Sequence, residues 1–344
     1  MNTVDVVIPV RHKRIVGIWD LYLSPISLGG LLILVAELKM QCKIHGIESA
    51  DICIIGDMAR LLSSQHTQPD GGPVTLLDSE ACKGSPLLSM LLDMEGIGDC
   101  YLYSTVAALK DFVQTSPYQY VTWPALSDQG VLSHRYANTT YAQRFYHEHG
   151  FVPCLSCKAK QIRYAVRFIE RNVMPYVPVV VHLKNNPRER GCSNADFDAW
   201  FTFFQKCSSR YDVKFILVGN EMIDQRILGL PNILVARDLE SDLSRDLALI
   251  QTAFAFMGMS SGPCNLAVFS KVPYAIFKNP NHDAEQMALE LGEADRFPFA
   301  IGFQKILRVF ETGDRLMSEF EHLYTSSSRQ GWENRLDSLR QAQA

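Results

Sequence analysis

Short apolar runs alternate along the chain with stretches whose apolar residues recur at helical spacing. Ile15 to Trp19, Ile52 to Ile55 and Cys100 to Tyr103 read as strands, and so does Val74 to Leu77 after the turn Gln68-Pro-Asp-Gly-Gly-Pro73. The opening residues, Met1 to Val10, have the look of a further first strand. Leu31 to His45, Leu87 to Met94 and Val106 to Phe112 read as helices, and Asp20 to Gly30 as a loop containing Pro25 and the pair Gly29-Gly30. Strands that are apolar throughout, each followed by a helix, predict an α/β fold with parallel sheets covered on both faces.

Ser116 to Gly150, rich in Tyr, Ser, His and Gln, is the least patterned stretch, with Trp123-Pro124 at a turn. Thr139 to His149 and Lys158 to Asn172 are helical in spacing. Met174-Pro-Tyr-Val-Pro178 has two prolines and no periodicity, so a domain boundary is expected there. The second half is more regular. Val179 to Leu183, Val213 to Val218, Ile233 to Ala236, Phe254 to Met257 and Pro273 to Phe277 read as strands. Helices are expected over Ser193 to Ser208, capped by Ser193 or Asn194, over Ser241 to Gln251, and up to Gly292. Gly258 is expected to end its strand. Strands a helix apart describe a Rossmann-like half. The reading gives two Rossmann-like domains, 1–174 and 175–312, and terminal helices over 313–344 that pack back on them.

A chain of 344 residues has room for about two domains. A formal charge of −4 offers no general attraction to nucleic acid or anionic membrane. No apolar run approaches the roughly 20 residues that span a bilayer. The N-terminus lacks the basic start and cleavage site of a signal peptide. Nine scattered cysteines suit reduced thiols in the cytoplasm, and the lone pair Cys154-Leu-Ser-Cys157 is weak as a zinc site.

The organising stretch is Ala253 to Ala267, in which an apolar run leads into Ser260-Ser261-Gly262 and then a helix opened by Pro263. Free backbone N–H groups, a helix dipole and small side chains together let a phosphate approach. The same features also describe an ordinary capped strand-to-helix turn. Ligands of open α/β sheets sit beyond the carboxyl ends of strands, so the polar residues there matter. His182, Lys184 and Arg188, with Arg190 nearby, follow or close the first strand of the second half. Gly219, Asn220 and Glu221 follow the second, and His282, Asp283 and Glu285 the last. A diphosphate needs cations and backbone donors, which Lys184, Arg188 and the Ser261 turn could supply; a ribose needs an acceptor such as Glu285 or Asp283. Solvated loop charges and a helix-start acid explain the same residues equally well.

The order of Gly258-Met-Ser-Ser-Gly-Pro-Cys-Asn-Leu-Ala267, the strand Val272-Pro-Tyr-Ala-Ile-Phe277 and then Asn279-Pro-Asn-His282 resembles the nucleotide-sugar half of GT-B-fold glycosyltransferases, above all the heptosyltransferase-like group. Val179-Val-Val-His-Leu-Lys-Asn-Asn-Pro187 is similar to the first βα unit of that half and to the fucosyltransferase branch. Ser27-Leu-Gly-Gly30 resembles the glycine loop, here Gly29 and Gly30, that faces the acceptor. Two departures stand out. Lys184 replaces an expected arginine and cannot make its bidentate fork, and Ser260 stands where an acidic residue is usual.

The resemblance implies two domains facing a central cleft and transfer of a sugar from a nucleotide-sugar donor to a glycan or lipid-linked acceptor, in surface polysaccharide or glycoconjugate synthesis. It implies no cofactor or metal beyond that co-substrate. His182, Lys184, Arg188, Gly219, Asn220, Glu221, Ser260, Ser261, Gly262, His282 and Glu285 would bind the donor. Asp20, just after a first-half strand, would be the base for the acceptor hydroxyl, although a turn-forming aspartate reads the same way. No transmembrane segment is expected, which leaves room for peripheral membrane association. Asp196-Phe-Asp198 has the form of a DxD metal triplet, but first-turn acids are ordinary on a helix. His147 and His149, two apart, do not share a helical face. The rival readings are a nucleotide-sugar epimerase or hydrolase of the same architecture and a sugar-nucleotide binding module without turnover. Nothing in the chain follows the Gly-x-Gly-x-x-Gly spacing of a hydride-transfer enzyme.

Overall fold

The structure is a computed structural model and describes residues 12–57, 75–76, 85–127, 130–131, 138–186 and 193–341. The strand expected over 1–10, the turn at 68–73, and Arg188 and Arg190 lie outside them. The chain forms two compact units.

The first unit comprises Met1–Ile26, Glu37–Ser85 and Gly96–Arg135. Its strands are β1 (Lys13–Asp20), β2 (Ala50–Ile55), β3 (Thr75–Leu76), β4 (Ile97–Tyr103) and β5 (Gln119–Trp123), in the order β3-β4-β2-β1-β5. All neighbours are parallel except β3, which runs antiparallel on β4. β2 is buried along its whole length, as a central parallel strand must be. Helices α1 (Leu28–His45), α2 (Pro86–Leu92) and α3 (Val106–Thr115) follow β1, β3 and β4 in the chain. Only α3 and the later part of α1 belong to this unit. Gly17 on β1 makes room for α1, because a β-carbon there would lie 2.6 Å from Leu38 Cδ1. A two-stranded ribbon, β6 (Leu126–Ser127) with β7 (Gly130–Val131), follows β5.

The second unit takes Ser27–Ala36, Pro86–Glu95 and Tyr136–Ala344. The expected boundary near 174 therefore falls inside it, between α5 and β8 below. Helices α4 (Thr140–His149) and α5 (Ala159–Asn172) precede six parallel strands: β8 (Val177–His182), β9 (Val213–Leu217), β10 (Ile233–Val235), β11 (Ala255–Met259), β12 (Tyr274–Lys278) and β13 (Gln304–Arg308). The sheet order β10-β9-β8-β11-β12-β13 is the doubly wound order 3-2-1-4-5-6, so the strand order reverses between β8 and β11. The remaining helices are α6 (Phe197–Ser208), α7 (Gln225–Leu228), α8 (Leu243–Thr252), α9 (Cys264–Val268), α10 (Ala284–Leu291), α11 (Gly313–Ser326) and α12 (Arg329–Gln341).

The two terminal helices pack back on this unit, α11 on α6 and α12 on α5. Trp200 and Phe203 of α6 are fully buried with Phe215 of β9 and Phe320 of α11. Phe203 stands within 5.6 Å, centroid to centroid, of both Phe215 and Phe320. Trimming one such ring to alanine costs about 3–5 kcal/mol. Trp332 of α12 donates its indole N–H to the Thr252 carbonyl at 2.9 Å.

Three local expectations are corrected. Gly258 does not end its strand but lies within β11, paired with His182. The cap of α6 is Asp196, whose carboxylate accepts from the amides of Asp198 and Ala199, and neither Ser193 nor Asn194 serves. Gly29 and Gly30 are not loop residues but form the first turn of α1, where the Ser27 hydroxyl accepts from the Gly30 amide at 3.2 Å.

Candidate functional site

Beyond the carboxyl ends of β8 and β11, at the switch point of the second sheet, lies a cleft of about 680 Å³. That is the size of a typical small-ligand site. β8 delivers His182 to its wall, 3% exposed. Its Nδ1 is 2.8 Å from Ser261 Oγ and its Nε2 is 3.0 Å from Glu221 Oε1. Glu221 reaches the histidine from the turn after β9. Gly219 makes that possible: its φ is +98°, and a β-carbon there would meet Glu221 Oε2 at 2.3 Å and the His182 ring at 3.0 Å.

Two carboxylates border the histidine, and their surroundings shift them in opposite directions. Burial works against ionisation of Glu221, but the hydrogen bond and charge of His182 outweigh it and hold the carboxyl below its ordinary value. The Glu221 Oε2 atom is buried without a hydrogen-bond partner among the described residues. Asp246, on α8, accepts from the Gly219 amide at 2.9 Å and the Ser241 hydroxyl at 2.6 Å. Burial nevertheless pushes its carboxyl up to about 6.

On the facing wall, the turn after β11 packs backbone to backbone on the first turn of α1. A β-carbon on Gly262 would lie 2.8 Å from Leu28 Cβ and 3.1 Å from the Gly29 nitrogen. Asn265 of α9 fastens the contact, donating its side-chain amide to the Gly29 carbonyl at 3.0 Å. The backbone amides of Ser261 and Gly262 have no acceptor among the described residues. Lys184, Asn185 and Asn186 complete the rim after β8. A cation, a buried histidine and two open amides on one cleft suit a polyanion.

No family model matches the sequence, and no curated protein sequence does. Solved structures do match. E. coli heptosyltransferase WaaC with ADP superposes at a TM-score of 0.50 and 10% identity, over 90% of this chain and 99% of that one. E. coli ADP-heptose lps heptosyltransferase II gives 0.54 at 11% identity, over 91% and 98%. The glycosyl transferase family 9 protein from Veillonella parvula DSM 2008 gives 0.51 at 9%, over 92% and 98%. The chain has the heptosyltransferase fold. At such identities the shared property is that GT-B fold, with its two Rossmann-like sheets.

The cleft gathers most of the residues singled out from sequence: His182, Lys184, Gly219, Asn220, Glu221, Ser261 and Gly262, with Gly29 and Gly30. Ser260 and His282 line a neighbouring cavity of about 210 Å³ that shares Gly29, Ser261 and Asn265 with the cleft. There Lys278 closes β12, 5% exposed, and binds the Asp283 carboxylate at 3.0 Å. Glu285 is exposed on α10 and lines neither space. Asp20 ends β1 in the first unit, 5% exposed, and accepts from the Tyr22 amide at 2.8 Å.

Asn185, Asn186, Asp246 and Asn265 are lining residues that sequence reasoning missed. The signal for Asp246 was there: an acid beside the otherwise apolar run Leu247-Ala-Leu-Ile250 of α8. The DxD acids have other work. Asp196 is the cap of α6 and Asp198 pairs with Arg226 at 2.7 Å. Among the described residues no three His, Cys, Asp or Glu side chains cluster as metal ligands, and no helix is long and apolar enough to cross a membrane.

Proposed function

We propose that the protein is a glycosyltransferase that moves a sugar from a nucleotide-sugar donor to a hydroxyl of a glycan or lipid-linked acceptor. The observation that carries this reading is the convergence of Lys184, His182 and the open Ser261 and Gly262 amides on a nucleotide-sized cleft at the switch point. Those groups meet the negative charge of a diphosphate, and the orphaned Glu221 Oε2 meets a ribose hydroxyl. Leaving-group charge is then met by protein donors, and the transfer runs without a metal or other cofactor. Asp20 is the proposed base for the acceptor hydroxyl. The setting is the cytoplasmic synthesis of surface polysaccharide or glycoconjugates, with membrane association through the acceptor at most. ADP-heptose is the first donor to try, since one fold relative was solved with ADP and another is named for ADP-heptose.

The test is release of nucleoside diphosphate from ADP-heptose and from UDP-, GDP- and CDP-hexoses, with and without lipid-linked and oligosaccharide acceptors. Acceptor-dependent release from one donor is expected. Release that ignores every acceptor, or epimerised donor as the product, replaces transfer with hydrolysis or epimerisation. Donor binding without any release makes the protein a binding module.

A further inference from the structure

The hydrogen bonds around His182 define where its protons sit. Ser261 Oγ lies 3.1 Å from the Met259 carbonyl, which can only accept, so the hydroxyl donates there. The 2.8 Å contact between Ser261 Oγ and His182 Nδ1 then takes its proton from the ring. On the other side Nε2 faces Glu221 Oε1 at 3.0 Å. An ionised carboxylate only accepts, so Nε2 carries a proton too. The set is complete with both ring nitrogens protonated. The imidazolium so formed faces Glu221 from the turn after β9, Asp246 from α8, and Lys184 from its own segment. Its side chain is only 4% exposed and both nitrogens are occupied. It therefore reaches a ligand through Ser261 alone.

We propose that Ser261 is the proton donor to the departing nucleoside diphosphate, with His182 and Glu221 as the positioning residues that recharge it. The proposal rests on the transfer reading above. As the bond from the anomeric carbon to the phosphate oxygen breaks, its electron pair stays on that oxygen. The Ser261 hydroxyl turns from the Met259 carbonyl and gives the oxygen its proton. Ser261 Oγ takes the Nδ1 proton of His182, which becomes neutral and keeps Nε2–H on Glu221. The acceptor oxygen bonds the anomeric carbon and its own proton leaves to the base. After the diphosphate departs, solvent reprotonates the imidazole. Proton donation of this kind contributes about 10²–10⁴-fold in rate.

The experiment measures kcat against pH for wild type, Ser261→Ala, Ser261→Thr and His182→Asn, using the active sugar nucleotide from the donor panel. Affinity for the matching free nucleoside diphosphate is measured by calorimetry in parallel. The expected result is a basic limb in the wild-type profile. Ser261→Ala should lower kcat at least about 100-fold and erase that limb while diphosphate affinity stays within about threefold. Ser261→Thr should restore both, and His182→Asn should match Ser261→Ala. Wild-type kcat and an intact basic limb in Ser261→Ala overturn the relay alone. Absence of diphosphate binding by the wild type overturns the relay together with the transfer reading beneath it.

Discussion

Gly258 lies opposite His182 in the β8–β11 pair, and a β-carbon at Gly258 would come within 2.4 Å of the His182 carbonyl oxygen. The strand that leads into the Ser261 turn thus touches the strand that presents the histidine with no side chain between them. The glycine has a φ of +152°, and the neighbouring atom is backbone, which cannot swing aside. Gly258→Ala is expected to cost about 1–3 kcal/mol and to displace His182. Urea unfolding should show the lower midpoint, and an unchanged midpoint would mean that the two strands separate freely.

Asp246 gives a pH signature. The folded protein keeps this proton up to about pH 6, because burial penalises the charge. An unfolded aspartate releases it near 4. Folding takes up a proton between those values, so this carboxyl makes stability fall as pH rises through the window. A carboxamide in its place has no proton to lose and can still accept from the Gly219 amide. Relative to wild type, Asp246→Asn should therefore gain roughly 3 kcal/mol between pH 4 and pH 7. Parallel unfolding curves for the two proteins across that range would refute the assignment.

Asp196 and Asp198 should separate as a cap and a surface acid. Asp196→Ala removes the acceptor of two helix amides and is expected to cost about 1 kcal/mol. Asp198→Ala removes an exposed pair with Arg226 and should cost under about 0.5 kcal/mol. Neither should create or abolish a response to divalent cations. A Mg²⁺- or Mn²⁺-dependent rate lost in Asp198→Ala would turn the triplet back into a metal site.

Asp20→Asn tests the proposed base. The carboxamide can still accept from the Tyr22 amide, so the end of β1 should hold. Transfer should fall about 100-fold or more with donor affinity unchanged. A wild-type rate would leave Asp20 as the residue that turns the chain after β1.

Much of this was legible because parallel strands buried on both faces are written as unbroken apolar runs. Val179-Val-Val181 and Phe215-Ile-Leu217 could hardly be anything else. The edges escaped. β5 is half-buried or exposed along its length, and β13 carries Gln304, Lys305 and Arg308 among its five residues. An edge strand has one unpaired side and tolerates such residues, so its sequence looks like loop. Gly258 and Gly29 were misplaced for a related reason. Glycine commonly marks a turn, but here it marks close approach of backbone to backbone, which depends on a partner distant in sequence. The strand-end residues His182, Glu221 and Ser261 could be picked out singly. Their joining through one imidazole could not, since it requires the strand order. Glu285, read either as a ribose acceptor or as a helix-start acid, is exposed at the head of α10 and lines neither cavity.

The most direct test of the central claim is calorimetric titration of the protein with ADP, UDP, GDP and CDP, repeated on Lys184→Gln. The account predicts that one diphosphate binds in the micromolar range and that Lys184→Gln weakens it about tenfold, the loss of one charge-assisted contact of roughly 1.4 kcal/mol. No heat and no stabilisation with any of the four at millimolar concentration would contradict a nucleotide-diphosphate site in this cleft.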